Sequence, residues 1–96
     1  MRKYGRTDAN QSEIVGFLRA IPGVSVTSLA AVGAGVPDLL VGFRGHNYLF
    51  EIKDPEKSPS QRKLTKAQRE FHAAWHGQVS VAETFGDILE FMKADT

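Results

Sequence analysis

The stretch GVPDLLVGFRGHNYLFEIKD, residues 35–54, constrains the fold of this chain more than any other. It contains two short apolar runs, residues 39–43 and 48–52, on either side of Arg44-Gly45. Runs of this length that are apolar almost throughout predict strands covered on both faces. The break between them is short enough for a tight hairpin turn. We therefore expect two paired strands, residues 36–43 and 47–53, at the centre of a sheet.

The predicted hairpin places charged residues where a buried sheet tolerates them least. If Arg44-Gly45 forms the turn, paired residues have numbers that sum to 89, so Asp38 lies opposite Glu51. Lys53 follows two residues later and shares the face of Glu51, because strand side chains alternate with period two. Carboxylates and lysines are seldom buried unless they are paired or hold a metal. The pattern predicts a functional cluster of three charged groups.

The remaining chain supplies helices around this hairpin. Asp8 to Gln11 has the form of a capping box, and an apolar stripe at helical spacing follows over residues 9–21. Residues 23–29 form a strand, residues 65–76 a second helix, residues 78–82 a fourth strand, and residues from Thr84 a last helix. A meander of three strands followed by a helical crossover gives an α/β fold with a mixed four-stranded sheet flanked by helices.

Chain length, composition and charge distribution indicate the number of domains, the compartment and the kind of partner. The 96 residues make one domain, with a basic segment at 1–8 and an exposed loop at 54–64. There is no cysteine, no apolar run of membrane-spanning length and no apolar secretory segment, so we expect a cytoplasmic protein without a membrane partner. The net charge is +1, yet two basic clusters oppose an acidic C-terminal segment. The clusters either contact a polyanion or are simply solvated faces. Their members are Arg2, Lys3 and Arg6, and then Lys57, Arg62, Lys63, Lys66 and Arg69.

Two facing carboxylates repel each other unless a hard cation lies between them. Mg²⁺ takes oxygen ligands and commonly uses one or two carboxylates together with a substrate phosphate. Lys53 beside such an ion could hold a water for attack on phosphorus. The cluster therefore predicts metal-assisted phosphodiester hydrolysis with Mg²⁺ or Mn²⁺ and no organic cofactor. Glu13, at the margin of the first helix, is either a third carboxylate of the site or a solvated acid in a first turn.

The same residues resemble a known family. Pro37-Asp38 followed by Glu51-Ile52-Lys53 resembles the PD-(D/E)XK nuclease signature. The wider text GVPDLLVG, LFEIK and LTKAQ looks like the stand-alone, virus-type members of the VRR-NUC branch. The resemblance implies a restriction-endonuclease-like α-β-β-β-α-β-α core and a homodimer that cuts branched DNA such as four-way junctions.

The resemblance also implies roles for individual residues. Asp38 and Glu51 would bind the metal with the main-chain carbonyl of Ile52, and Lys53 would position the attacking water. Glu13 would bind the metal directly or through water. Gln68 would support the site, although Thr65-x-x-Gln68 is also a complete capping box, which is a competing role for the same side chain.

Other interpretations stay open from the sequence. A noncatalytic nucleic-acid-binding or assembly module could keep the fold, and a nuclease subunit could await a targeting partner.

The aromatic residues and histidines are expected to have structural roles. Phe71 and Trp75 are expected in the core, and Tyr4 is a weak candidate for stacking on a base. His72 and His76 have the i, i+4 spacing of some zinc sites, but no third ligand accompanies them, so we expect ordinary surface histidines. His46 is expected in the hairpin turn.

Overall fold

A computed structural model describes residues 9–94. The chain forms three α-helices and four strands in the order α-β-β-β-α-β-α, with a 3-10 helix at Pro59–Arg62 before the second α-helix. The elements in chain order are α1 (Gln11–Arg19), β1 (Val24–Ser28), β2 (Leu39–Phe43), β3 (His46–Ile52), α2 (Lys66–Ala74), β4 (Gln78–Ala82) and α3 (Phe85–Ala94).

The four strands form one mixed sheet in the order β1-β2-β3-β4. The first three strands are antiparallel neighbours, and β4 pairs with β3 in parallel after the crossover through α2. The predicted α/β class with a mixed four-stranded sheet flanked by helices is therefore confirmed. None of the helices within residues 9–94 is long and apolar enough to cross a membrane.

The β2–β3 hairpin has the predicted register. Leu39 pairs with Phe50 and Phe43 with His46, so that paired numbers sum to 89. Arg44 and Gly45 both have positive φ, 54° and 81°, as a two-residue type I′ turn requires. His46 is the exposed first residue of β3 and does not lie in the turn, because the turn is complete at Gly45.

Alternate residues of the sheet divide it into two unequal faces. Leu39, Val41, Tyr48, Phe50 and Ile52 are buried with apolar residues of α1 and α3, and this side forms the hydrophobic core. The opposite face carries Leu40, Leu49 and Glu51 and is covered by α2. The core is thus one-sided, and the charged cluster lies on the other side.

The second face is covered less fully than the sequence predicts. Of the nine residues of α2, none is buried, and the helix ends at Ala74 rather than at His76. The core prediction for Trp75 is wrong, because its side chain is 47% exposed. Its ring stacks on that of Phe71, which is partly buried, at a centroid distance of 5.1 Å. A helix of this length reaches the sheet with few side chains.

Two boundaries also differ from prediction. α1 begins at Gln11 with Asn10 as its N-cap, whereas Asp8 lies outside the described residues. The segment predicted as an exposed loop is exposed over residues 55–61, but Asp54 is only 7% exposed and Arg62 is partly buried. The Asp54 carboxylate accepts a hydrogen bond from the main-chain N–H of Glu56, which forms an Asx turn at the start of the segment.

Candidate active site

Asp38 stands at the point where β2 begins, and its side chain continues the hydrogen bonding of the strand. Its main-chain carbonyl accepts a hydrogen bond from Leu29 N–H at 2.7 Å, on the β1 side. On the β3 side, Asp38 Oδ2 accepts a hydrogen bond from Ile52 N–H at 2.8 Å. The carboxylate is therefore oriented by the main chain of the neighbouring strand, at the residue that follows Glu51.

Glu51 and Lys53 are buried charged residues on the face that α2 covers. Glu51 is 3% exposed and Lys53 is 8% exposed. Lys53 Nζ lies 3.9 Å from Glu51 Oε2, an ion pair too long to be a hydrogen bond. Burial of opposite charges this close requires further polar contacts, because the desolvation of both groups is costly. Those contacts come from α2.

Gln68 connects the two charged groups to the helix. Its Nε2 donates to Glu51 Oε2 at 3.1 Å, and its Oε1 accepts from Lys53 Nζ at 3.0 Å. The same Oε1 also accepts from the main-chain N–H of Thr65 at 2.9 Å, while Thr65 Oγ1 accepts from Gln68 N–H at 3.2 Å. The capping box and the contacts to the charged residues are both present, so the expected competition between the two roles does not arise. A carbonyl oxygen has two lone pairs, and each serves one donor.

Glu13 lies on a different side of the sheet. It is exposed on α1, the helix that packs on the core face, and it lines a shallow pocket with Asp54, Glu56 and Glu83. Within residues 9–94 no three histidine or carboxylate side chains are grouped closely enough to hold a metal ion. Glu13 is therefore not grouped with Asp38 and Glu51, and a role through water stays a prediction.

Sequence reasoning missed two residues that contact this site, of which the first is Asn10. Its Nδ2 donates to Lys53 O at 3.1 Å and to Glu83 O at 2.9 Å. Asn10 thereby links the residue that follows β3, which is Lys53 itself, to the residue that follows β4. The sequence signal is hidden because the capping pattern before α1 centres on Asp8.

The second missed residue is His72. It is partly buried, and its Nε2 is buried with no hydrogen-bond partner within residues 9–94. Burial, and then the positive charge of Lys53, lower the pKa of His72 from its usual 6.5. His72 is thus only partly exposed, whereas His76 is exposed as expected. The signal was present in the sequence, because His72 follows Gln68 by one helical turn and shares its face.

The second basic cluster surrounds the start of α2. Lys57, Lys63, Lys66 and Arg69 are exposed. Arg62 instead contacts Glu83, with Nη1 3.2 Å from Oε2, and so ties the 3-10 helix to the end of β4. All four cations thus face solvent, and Lys63, Lys66 and Arg69 lie in or next to the first turn of α2, the helix that carries Gln68. The first basic cluster and Tyr4 lie outside the described residues.

Comparisons of the chain with protein-family models, with curated protein sequences and with solved structures found no match. A function for this chain is therefore inferred from the residues and geometry of the site itself.

Proposed function

We propose that this protein is a metal-dependent nuclease that hydrolyses phosphodiester bonds of DNA, with its active site at Asp38, Glu51, Lys53 and Gln68. The observation that carries the proposal is the burial of Glu51 and Lys53 beside each other, joined through one glutamine, with the Asp38 carboxylate bound to the main-chain N–H of Ile52 between them. Buried charges that cost stability are typical of functional sites.

The donor set suits a hard divalent cation. Asp38 directly precedes β2 and binds the N–H of Ile52, the residue after Glu51 on the paired strand; two carboxylates are a common protein contribution to a Mg²⁺ site. The Asp38 and Glu51 side chains would hold Mg²⁺ or Mn²⁺ with the main-chain carbonyl of Ile52. A bound cation supplies Lewis-acid stabilisation of the charge that develops on the phosphate oxygens.

The other side chains orient the reacting groups. Gln68 fixes Lys53 Nζ through a 3.0 Å hydrogen bond and limits the movement of Glu51 through its Nε2. Lys53 has further N–H donors on its ammonium group, which can orient the attacking water or balance charge on a phosphate oxygen. The end of β3 and the start of α2 thus place a carboxylate and an ammonium group at one point.

The order of elements and the signature residues support a place in the VRR-NUC branch of the PD-(D/E)XK superfamily. The α-β-β-β-α-β-α order is that of the restriction-endonuclease-like core; Pro37-Asp38 immediately precedes β2, and Glu51-Ile52-Lys53 spans the end of β3, the strand paired with β2. The substrate we propose is branched DNA such as a four-way junction, cut in paired nicks by a homodimer in which two-fold symmetry relates two sites. The exposed cations near α2 would contact phosphates, which gives affinity without sequence preference.

The test uses purified protein on labelled four-way junction, splayed-arm and linear duplex DNA, with Mg²⁺, Mn²⁺ or EDTA. The Lys53→Met variant removes the ammonium group, and Lys66→Met is the matched control, since the Lys66 side chain is 82% exposed. We expect metal-dependent nicks at the junction from the wild type and from Lys66→Met at saturating protein, and none from Lys53→Met. Cleavage by Lys53→Met would refute the assigned site.

Metal binding is measured separately through thermal stability. A ligand that binds the folded state alone raises its melting temperature. We expect Mn²⁺ and Mg²⁺ to stabilise the wild type and not Asp38→Asn. Stabilisation by metal without cleavage of any substrate would point to the noncatalytic binding module or to a missing partner subunit.

A further inference from the structure

His72 lies beside the proposed active site without a contact that explains its burial. It follows Gln68 by one turn of α2, so both side chains project from the helix face that covers Glu51 and Lys53. The imidazole Nε2 is buried and has no hydrogen-bond partner within residues 9–94. Buried polar atoms in folded proteins nearly always have a partner, and an exception calls for an explanation.

The positive charge of Lys53 restricts the protonation state and the tautomer of the His72 imidazole. Burial and the nearby ammonium group both lower the pKa of His72, so the ring is neutral at neutral pH. A neutral imidazole carries one N–H and one nitrogen lone pair. An ammonium group attracts the lone pair and repels the N–H, so the field of Lys53 favours the tautomer that turns an acceptor toward it.

The ammonium group of Lys53 has N–H donors that are available to such an acceptor. Its ammonium group has three N–H bonds, and Gln68 Oε1 at 3.0 Å accepts one of them. Glu51 Oε2 at 3.9 Å is beyond hydrogen-bond distance. Gln68 Oε1 also serves the N–H of Thr65, so it has no lone pair left for a second bond from the lysine.

We propose that His72 is a positioning residue for Lys53, with its neutral imidazole supplying a second acceptor for the ammonium group, directly or through one water. The inference rests on the proposed nuclease function, in which Lys53 orients the water or the phosphate. His72 keeps the ammonium group aligned when it shifts away from Gln68 toward the substrate.

Three variants separate this role from simple packing. His72→Ala removes the acceptor and the ring, His72→Phe fills the space without an acceptor, and His72→Gln keeps a polar acceptor on a side chain of comparable reach. For metal-dependent cleavage at saturating DNA we expect the Ala and Phe variants to lose about tenfold in kcat, the equivalent of one hydrogen bond, with KM unchanged. His72→Gln should retain most of the activity. Retained activity in His72→Phe with loss in His72→Gln would show that the ring only fills space.

His76→Phe is the matched control, because His76 lies on the exposed continuation of the same segment. We expect it to cleave as the wild type does. A loss equal to that of His72→Phe would mean that added bulk near α2, and not the missing acceptor, lowers the rate.

A second measurement does not depend on cleavage. The titration of the histidines is followed by NMR in the presence of EDTA, in the wild type and in Lys53→Met. We expect the pKa of His72 to rise when the ammonium group is removed. An unchanged His72 titration overturns the pairing. If the wild type cleaves no DNA while His72 responds to Lys53→Met, the pairing holds and the nuclease proposal fails.

Discussion

Lys53 Nζ donates a hydrogen bond to the side-chain oxygen of Gln68 at 3.0 Å, the same oxygen that completes the cap of α2. The start of the helix and the position of the buried lysine therefore depend on one atom. Substitutions of Gln68 and of the residues around it should therefore change the stability of the protein.

Removal of the Gln68 side chain should cost more than the loss of a helix cap. We expect Gln68→Ala to lower the free energy of unfolding by about 3 kcal/mol, because Lys53 and Glu51 each lose a hydrogen bond while buried. Urea denaturation measures the change. Gln61→Ala is the matched control, since Gln61 accepts from Ser58 N–H in a capping box on the exposed 3-10 helix. It should cost less than about 1 kcal/mol, as expected for a cap alone. Equal costs would mean that the bonds to the charged residues contribute nothing.

Gly35 determines how closely the start of α2 approaches the sheet. It has φ +82°, and a Cβ atom there would lie 2.3 Å from the main-chain oxygen of Ala67. We expect Gly35→Ala to lower the free energy of unfolding by about 3 kcal/mol or more, since it combines the left-handed conformation with a backbone clash.

Gly33→Ala is the control for Gly35→Ala. Gly33 has φ +74°, but a Cβ atom there would have nothing within 4 Å. Only the conformational cost of about 1 kcal/mol is expected there. Similar losses in the two variants would show that contact with α2 does not matter.

Asn10 holds the ends of β3 and β4 together with two hydrogen bonds to main-chain carbonyls. We expect Asn10→Ala to cost about 2 kcal/mol, measured by urea denaturation. Asn10→Asp should cost at least as much at neutral pH, because a carboxylate cannot donate to Lys53 O or Glu83 O. Aspartate and asparagine are equally good N-caps. A fully stable Asp variant would therefore assign Asn10 to helix capping alone.

Glu51 and Lys53 should be energetically coupled. We expect Glu51→Gln and Lys53→Met each to cost about 2 kcal/mol, since each leaves a buried charge without its partner. The double variant should be more stable than the sum of the two changes predicts, by about 1 kcal/mol or more. Strict additivity in a double-mutant cycle would contradict the pairing.

His72 should make stability depend on pH. Its pKa in the folded state is lowered from 6.5, so on acidification the unfolded chain takes up a proton first. The contribution of His72 is present above pH 6.5 and is lost as the pH falls from there to the folded-state pKa. Urea unfolding at a series of pH values measures this slope. His72→Phe should reduce the slope, and a slope unchanged by His72→Phe would contradict the assignment.

The hairpin and its charged face could be predicted from sequence because a two-residue turn and strand periodicity are local rules. Arg44-Gly45 fixes the register, and in that register Asp38, the residue before β2, reaches the main-chain N–H of Ile52 at the end of β3. No contact across the molecule was needed for that step. The parallel pairing of β4 likewise followed from the crossover connection.

The helix faces could not be predicted to the same extent. The margin of an apolar stripe predicts Glu13 near the metal, yet α1 packs on the core face and Glu13 lies beside Asp54 and Glu56. Which face of the sheet each helix covers is decided by packing, which the stripe alone does not specify. The partial burial of His72 is missed for a related reason: the spacing from Gln68 places it on the same helix face, but only the packing of α2 on the sheet covers that face.

The two-residue turn at Arg44-Gly45 also determines which changes in this segment the chain can accept. Side chains in the apolar runs can be exchanged for others of similar volume, because pairing depends on the main chain. One inserted or deleted residue would instead rotate every later side chain of β3 to the opposite face, carrying Glu51 into the core and a core aromatic toward Gln68. The number of residues between Asp38 and Glu51 is thus fixed more strictly than their identities. Among related chains, this spacing should be retained even where the intervening residues differ.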